Sequence, residues 1–335
     1  MTIRQKINML NTFEAKKSMP LLSFPCISLM GITVNELIMD SELQSEGMKL
    51  VCDNVNSFAS VSMMDLSVEA EAFGSEVKFF DDEVPSVTGA IVTSTSDAQN
   101  LTVPKVGEGR TGIYIEAIKK AKQKITDRPV FAGVIGPFSL AGRLMDVTEA
   151  LVNCYTEPEM VKTTMEKTTK FLIDYINAYK AAGADGVVMA EPLTGLLSPN
   201  LAKEFSEPYV KEIIDAVQTD DFVVIYHNCG DNVINMIDSI LGVGAAAYHF
   251  GNAISMTELM KHIPSDTVVM GNIDPAGQFL NGTKKSITEK VNELMTQLCP
   301  KYPNFVISSG CDIPPMTPWD NIYAYFNAIE EFYKD

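Results

Sequence analysis

Apolar residues in this chain gather in short continuous runs, and the stretches between them carry helical periodicity. Residues 130–134, 186–190, 222–226, 245–250, 267–270 and 305–308 are such runs. Each is followed by a Gly, Pro, Asn or Asp cluster and then by a helix-period pattern, over 157–182, 199–217, 233–241, 286–298 and 318–333. Unbroken apolar strands separated by amphipathic helices predict a parallel sheet covered by helices. Upstream, residues 24–29 and 60–66 supply two further strands, which completes a (β/α)8 TIM barrel. A doubly wound sheet is the weaker alternative, because no G-x-G-x-x-G follows the first strand.

Residues 74–101 interrupt the rhythm. Segments 77–80 and 90–93, around Asp81-Asp82-Glu83-Val84-Pro85, predict a β-hairpin excursion near the barrel mouth. An N-terminal helix over 3–11 is expected to plug the closed end. No linker, low-complexity tract or repeat divides the chain, so residues 1–335 are read as a single barrel domain.

Composition changes this picture little, with 46% hydrophobic and 21% charged residues in 335. The net charge of −17, with four arginines (Arg4, Arg110, Arg128 and Arg143), argues against nucleic acid and anionic membrane surfaces as partners. No apolar run is long enough to span a bilayer, and the opening residues lack a signal-peptide core, so a cytoplasmic location is expected. Cys26, Cys52, Cys154 and Cys299 lie in apolar or helical surroundings and read as packing residues. Cys229 and Cys311 instead fall in Gly-bearing turns just after strands.

In a barrel, chemistry collects at the C-terminal ends of the strands. Those ends read Gly136-Pro137-Phe138-Ser139, Ala190-Glu191-Pro192, His227-Asn228-Cys229-Gly230, His249-Phe250-Gly251-Asn252, Gly271-Asn272-Ile273-Asp274-Pro275 and Ser309-Gly310-Cys311-Asp312. His227 and Cys229, two apart on an extended segment, point to one face. Cys311 joins them only if two strand ends meet at the mouth. An imidazole and two thiolates suit zinc, and three protein ligands leave a position for substrate. Glu191, Asp312 or a substrate atom could complete the sphere, ahead of Glu258 and His249. Glu191 is a candidate general base, metal ligand or substrate hook, or a carboxylate that bonds a neighbouring loop. Asn272 is the second catalytic candidate. Asp65, Glu191, Asn272, Asp274 and Arg143 are the candidate substrate-binding residues, with turn formation a competing explanation for Asn272 and Asp274.

Together, His227-Asn228-Cys229-Gly230, Gly271-Asn272-Ile273-Asp274-Pro275 and Ser309-Gly310-Cys311-Asp312-Ile313-Pro314-Pro315 resemble the uroporphyrinogen decarboxylase superfamily. Within it they are most similar to the cobamide-dependent methyltransferases. The similarity extends over essentially the whole chain, including residues 85–89 and 136–139. It implies a barrel that takes a methyl group from a methylated corrinoid on a small partner protein. The acceptor would be a thiol such as coenzyme M, or tetrahydrofolate. It also implies that His227, Cys229 and Cys311 hold zinc, and that Arg143 is the cation best placed for a sulfonate. Decarboxylation of a tetrapyrrole is the alternative. It is disfavoured because residues 27–33 contain none of the arginines that hold that substrate's carboxylates in true decarboxylases. A non-catalytic corrinoid-binding module is a third reading.

Overall fold

The structure, a computed structural model, describes residues 1–10 and 17–334. Three short strands open the sheet region: β1 (Ser60–Val61) and, in a separate antiparallel pair, β2 (Glu76–Lys78) with β3 (Ser86–Thr88). The main strands follow as β4 (Val130–Ile135), β5 (Gly186–Ala190), β6 (Val223–Asn228), β7 (Ala247–Phe250), β8 (Val269–Ile273) and β9 (Phe305–Ser309). They form one parallel sheet in the order β1-β4-β5-β6-β7-β8-β9, with helices in the connections. That sequential order, with each strand beside its predecessor, is the order of a (β/α)8 barrel.

Side chains along each strand divide by parity between two cores. Phe131, Val188, Ala190, Val223, Ile225, Ala247, Met270 and Val306 fill the barrel interior. Their alternates, such as Ala132, Val187, Val224, Tyr248 and Phe305, pack outward against the helices. Helix Ile3–Met9 sends Ile3 and Ile7 into the interior cluster, as expected of a plug; Asn11 lies outside the described residues.

The eighth position differs from the sequence reading. Residues 24–29 do not form a strand: Pro25 caps the helix Cys26–Met30, which Gly31 ends at φ 69°. Proline preorganises a first helical turn and removes a ladder donor. The staves are closed instead by the extended residues just before it. The Met19 N–H donates to the Ile307 carbonyl at 3.3 Å, and the Phe58 N–H to the Ser18 carbonyl at 2.8 Å. Met19 and Leu21 face the interior while Leu22 and Phe24 face the helices, a strand-like alternation without a regular ladder.

Two other expectations shift. Only Ser60 and Val61 of segment 60–66 pair with β4, because the Ser62 hydroxyl takes over as acceptor for the Gly133 N–H at 2.9 Å. The hairpin exists, with Val77 opposite Val87, but its second strand precedes residues 90–93. Those residues are held elsewhere, the Ile91 and Val92 N–H groups both donating to the Leu144 carbonyl. Among the described residues, no helix is long and apolar enough to cross a membrane.

Candidate metal centre

His227 is the last interior-facing residue of β6, two positions beyond Ile225 and four beyond Val223. Cys229 follows the strand, and Cys311 lies two residues past the end of β9. The curl of the sheet brings all three together, with one potential ligand atom from each lying within 4.8 Å of the others. The backbone at these turns is crowded. A Cβ on Gly251 would sit 2.5 Å from Cys229 Cβ, and one on Gly310 would lie 2.7 Å from Asn252 Oδ1. Glycine there lets the loops carrying the ligands approach closely.

Two further interior-facing residues fix the imidazole. The Ser308 hydroxyl donates to the Met19 carbonyl at 2.7 Å, so its oxygen accepts from His249 Nε2–H, also at 2.7 Å. His249 Nδ1 is then an acceptor, and the His227 Nδ1–H donates to it at 2.8 Å. This assignment leaves the lone pair of His227 on Nε2, a buried atom with no hydrogen-bond partner. Burial, and secondarily His227, pull His249 well below its ordinary value and keep it neutral. The two thiols are hydrogen-bonded to each other. A hydrogen bond from Cys311 lowers Cys229, while that bond to Cys229, together with burial, pushes Cys311 up to about 12. An orphaned imidazole nitrogen facing two sulfurs is a donor set that fits zinc. The hydrogen bonds behind it are of the kind that orient metal-bound histidines.

The three side chains border a cavity of about 640 Å³ at the C-terminal ends of the strands. Its walls are mostly apolar, including Leu21, Met64, Leu66, Val84, Leu280 and Met316, and the β2–β3 hairpin contributes residues 82–86. Arg143, on helix Pro137–Met145, is the arginine in the lining. The other three arginines each pair with a carboxylate: Arg4 with Asp220, Arg110 with Asp65 and Glu71, and Arg128 with Asp127. Arg143 makes no such pair among the described residues, and its buried Nε has no partner. Burial lowers its ordinary value against the pull of Glu69 and Asp65. Asp312 also faces the cavity with one carboxyl oxygen unpartnered.

The remaining sequence candidates are engaged elsewhere. Glu191 Oε1 accepts from the Phe138 and Ser139 N–H groups, and Oε2 accepts from the Ser139 and Thr194 hydroxyls. It thus caps the N-terminus of helix Pro137–Met145 from a neighbouring strand end. Burial pushes it up to about 7 against those four bonds. Asp65 is buried beneath Arg110 and Tyr114. The Asn272 amide donates to the Gly251 and Ile254 carbonyls, and Asp274 caps the turn at Ala276 and Gly277. Both border a separate polar cleft of about 350 Å³. Sequence reading weighs His249 as a poorer ligand candidate or as a satisfied strand-end histidine, and does not single out Ser308 or Glu69. Parity was the available signal, since His249 and Ser308 continue the interior series of Ala247 and Val306.

Comparison with known proteins bears on this geometry. The uroporphyrinogen decarboxylase (URO-D) family profile matches residues 26–332. A methylcobamide:CoM methyltransferase, MtbA, of Methanosarcina acetivorans is 28% identical, over 80% of this chain and 78% of its own. A uroporphyrinogen decarboxylase of Dichelobacter nodosus is 25% identical, over 82% and 79%. A solved methyltransferase structure from Methanosarcina mazei superposes with a TM-score of 0.86 over 99% of both chains at 24% identity, which supports the same fold. The match over nearly its whole length makes this chain a member of the uroporphyrinogen decarboxylase family.

Proposed function

We propose that this protein transfers a methyl group from a methylated corrinoid, carried by a partner protein, to a small anionic thiol. The observation that carries this reading is the convergence of His227 Nε2 with the sulfurs of Cys229 and Cys311 at the floor of a largely apolar cavity. His227, Cys229 and Cys311 would hold zinc, which when bound keeps an incoming thiol ionised and nucleophilic at neutral pH.

The protein's own groups then divide the work. Arg143 takes the anionic end of the acceptor, since a half-buried guanidinium with a buried, unpartnered Nε and no carboxylate partner gains most from an arriving anion. Leu21, Met64, Leu66 and Leu280 keep water from the sulfur. The cavity has the size of a site for a drug-sized ligand. A whole corrinoid exceeds that class, so it would dock across the cavity mouth and present its methyl group to the sulfur held at His227, Cys229 and Cys311. In the transfer, a sulfur lone pair forms the C–S bond while the electron pair of the Co–C bond returns to cobalt. The similarity to methylcobamide:CoM methyltransferases supports both the donor and the thiol acceptor. Glu191 and Asp65 serve as buried anchors that hold the helices bearing Arg143 and Arg110, and Asn272 as a strand-end tie.

The test is transfer from methylcobalamin to 2-mercaptoethanesulfonate by the zinc-supplied protein, followed by the donor's visible spectrum and by mass of the S-methyl product. Transfer is expected, and Cys311→Ser should abolish it. Failure with sulfonated, carboxylated and neutral thiols alike would overturn the reading. Transfer to tetrahydrofolate alone would replace the acceptor.

A further inference from the structure

Two groups of opposite charge, the buried Glu69 and the half-buried Arg143, stand near each other without meeting. Glu69, on the short helix Val68–Ala72, is 2% exposed. Its Oε1 accepts from the Ile135 N–H at 3.1 Å, while Oε2 is buried and unpartnered. Ile135 leads through Gly136 into the helix that carries Arg143, and the Glu69 and Arg143 helices pack together. Arg143 Nε is likewise buried and unpartnered, and no ion pair within 4.0 Å joins the two residues. Each nevertheless acts on the other: Glu69 holds the guanidinium's value up, and Arg143 holds the carboxyl's down.

The rest of the neighbourhood leaves Glu69 few other partners. Asp65 repels it, but is itself tied to Arg110, Tyr114 and Ser67. Tyr175 and Tyr179, from helix Pro158–Ala181, feel its charge but bond each other at 2.5 Å between hydroxyls. Burial is the largest influence and pushes Glu69 up to about 7.

We propose that Glu69 is the standing counter-ion of Arg143, a positioning residue that holds the guanidinium at the cavity wall and releases it, taking a proton from solvent, when an anionic acceptor binds. This rests on the assignment of Arg143 to the acceptor's anionic end. An anion that draws the guanidinium away removes what keeps Glu69 ionised, so binding and protonation are linked. The sign follows. Below the titration of Glu69 the carboxyl is already neutral and Arg143 is free. Above it, the anion must compete with a carboxylate and binds more weakly.

Ethanesulfonate is a suitable probe, because it stays anionic throughout and has no thiol to engage a metal. Calorimetric titration of the zinc-loaded protein should give a Kd that rises roughly tenfold between about pH 6 and about pH 8. Binding heats in buffers of contrasting ionisation enthalpy should report proton uptake. In Glu69→Gln, which keeps an acceptor for the Ile135 N–H, the uptake and the pH slope should vanish and Kd should stay near its low-pH value. Absence of proton uptake in the wild type, or an unchanged slope in Glu69→Gln, overturns the proposal. Arg143→Leu separates the two ideas. If it still binds ethanesulfonate, the acceptor assignment itself fails. If binding is lost there but Glu69→Gln retains the wild-type slope, only the counter-ion role fails.

Discussion

Replacing His249 should weaken metal binding, although His249 is not itself a ligand. In the wild type, a fixed chain runs from the Met19 carbonyl through Ser308 and His249 to His227 Nδ1–H, and leaves Nε2 free to coordinate. In His249→Leu the acceptor for His227 Nδ1–H is gone. His227 must then either leave a buried N–H unsatisfied, or shift its proton to Nε2 and lose the lone pair that faces the thiols. The first costs about 1–3 kcal/mol. At 1.36 kcal/mol per tenfold, that is a zinc affinity lower by roughly 5- to 150-fold, within the reach of known outer-shell effects. His249→Gln supplies a side-chain carbonyl as acceptor and should recover most of the loss. Competition against a chromophoric chelator measures both affinities, and thermal melts confirm that each variant folds. The reasoning fails if His249→Leu, folded, binds zinc within twofold of wild type. It also fails if the Leu and Gln variants are equally impaired.

Other consequences are independent of that chain. Gly251→Ala should lower zinc affinity severalfold without touching a ligand, because its Cβ would lie 2.5 Å from Cys229 Cβ; the same chelator assay checks it. Glu191→Ala should cost about 3 kcal/mol or more in chemical denaturation, since two backbone N–H groups and two hydroxyls lose a buried acceptor. Zinc bound per folded molecule should not change. Arg110→Leu, which strands Asp65 without its cation, should destabilise by about 3–5 kcal/mol in the same measurement. Glu69 and Glu191 are both raised from 4.5 to about 7, so the folded state holds extra protons between those values. Stability should therefore fall as pH rises across that window, by at most about 3 kcal/mol for each group. Denaturation midpoints for the wild type and the Glu→Gln variants test this slope.

The strands from β4 to β9 were legible because each is buried on both faces, and that requirement writes an uninterrupted apolar run into the sequence. The first quarter of the barrel was harder for a physical reason. Residues 19–24 alternate correctly but bond mostly through side chains and single backbone contacts. The neighbouring run at Cys26–Met30 is just as apolar and folds as a helix behind Pro25. A short apolar run without turn markers does not by itself distinguish the two outcomes.

The site divides along the same line. The metal-ligand candidates could be read locally, because a ligand needs only a suitable atom and a place at a strand end. The residues that make those ligands usable could not, because their polarity is satisfied across the fold. Ser308 answers to Met19, 289 positions away, and Glu69 to the Ile135 N–H, 66 away. A polar residue among interior-facing apolar ones is costly unless something pairs with it. His249 and Ser308, sitting where valine or alanine would suffice, therefore had to belong to a network. Glu191 shows the limit of that inference. Its place at a strand end left it readable as a base, a ligand, a substrate hook or a carboxylate bonding a neighbouring loop; in the fold its four donors are structural and lie outside the cavity wall. Arg143 is the converse case. Its lack of any partner among the described residues, invisible in sequence, makes it the group most in need of a ligand.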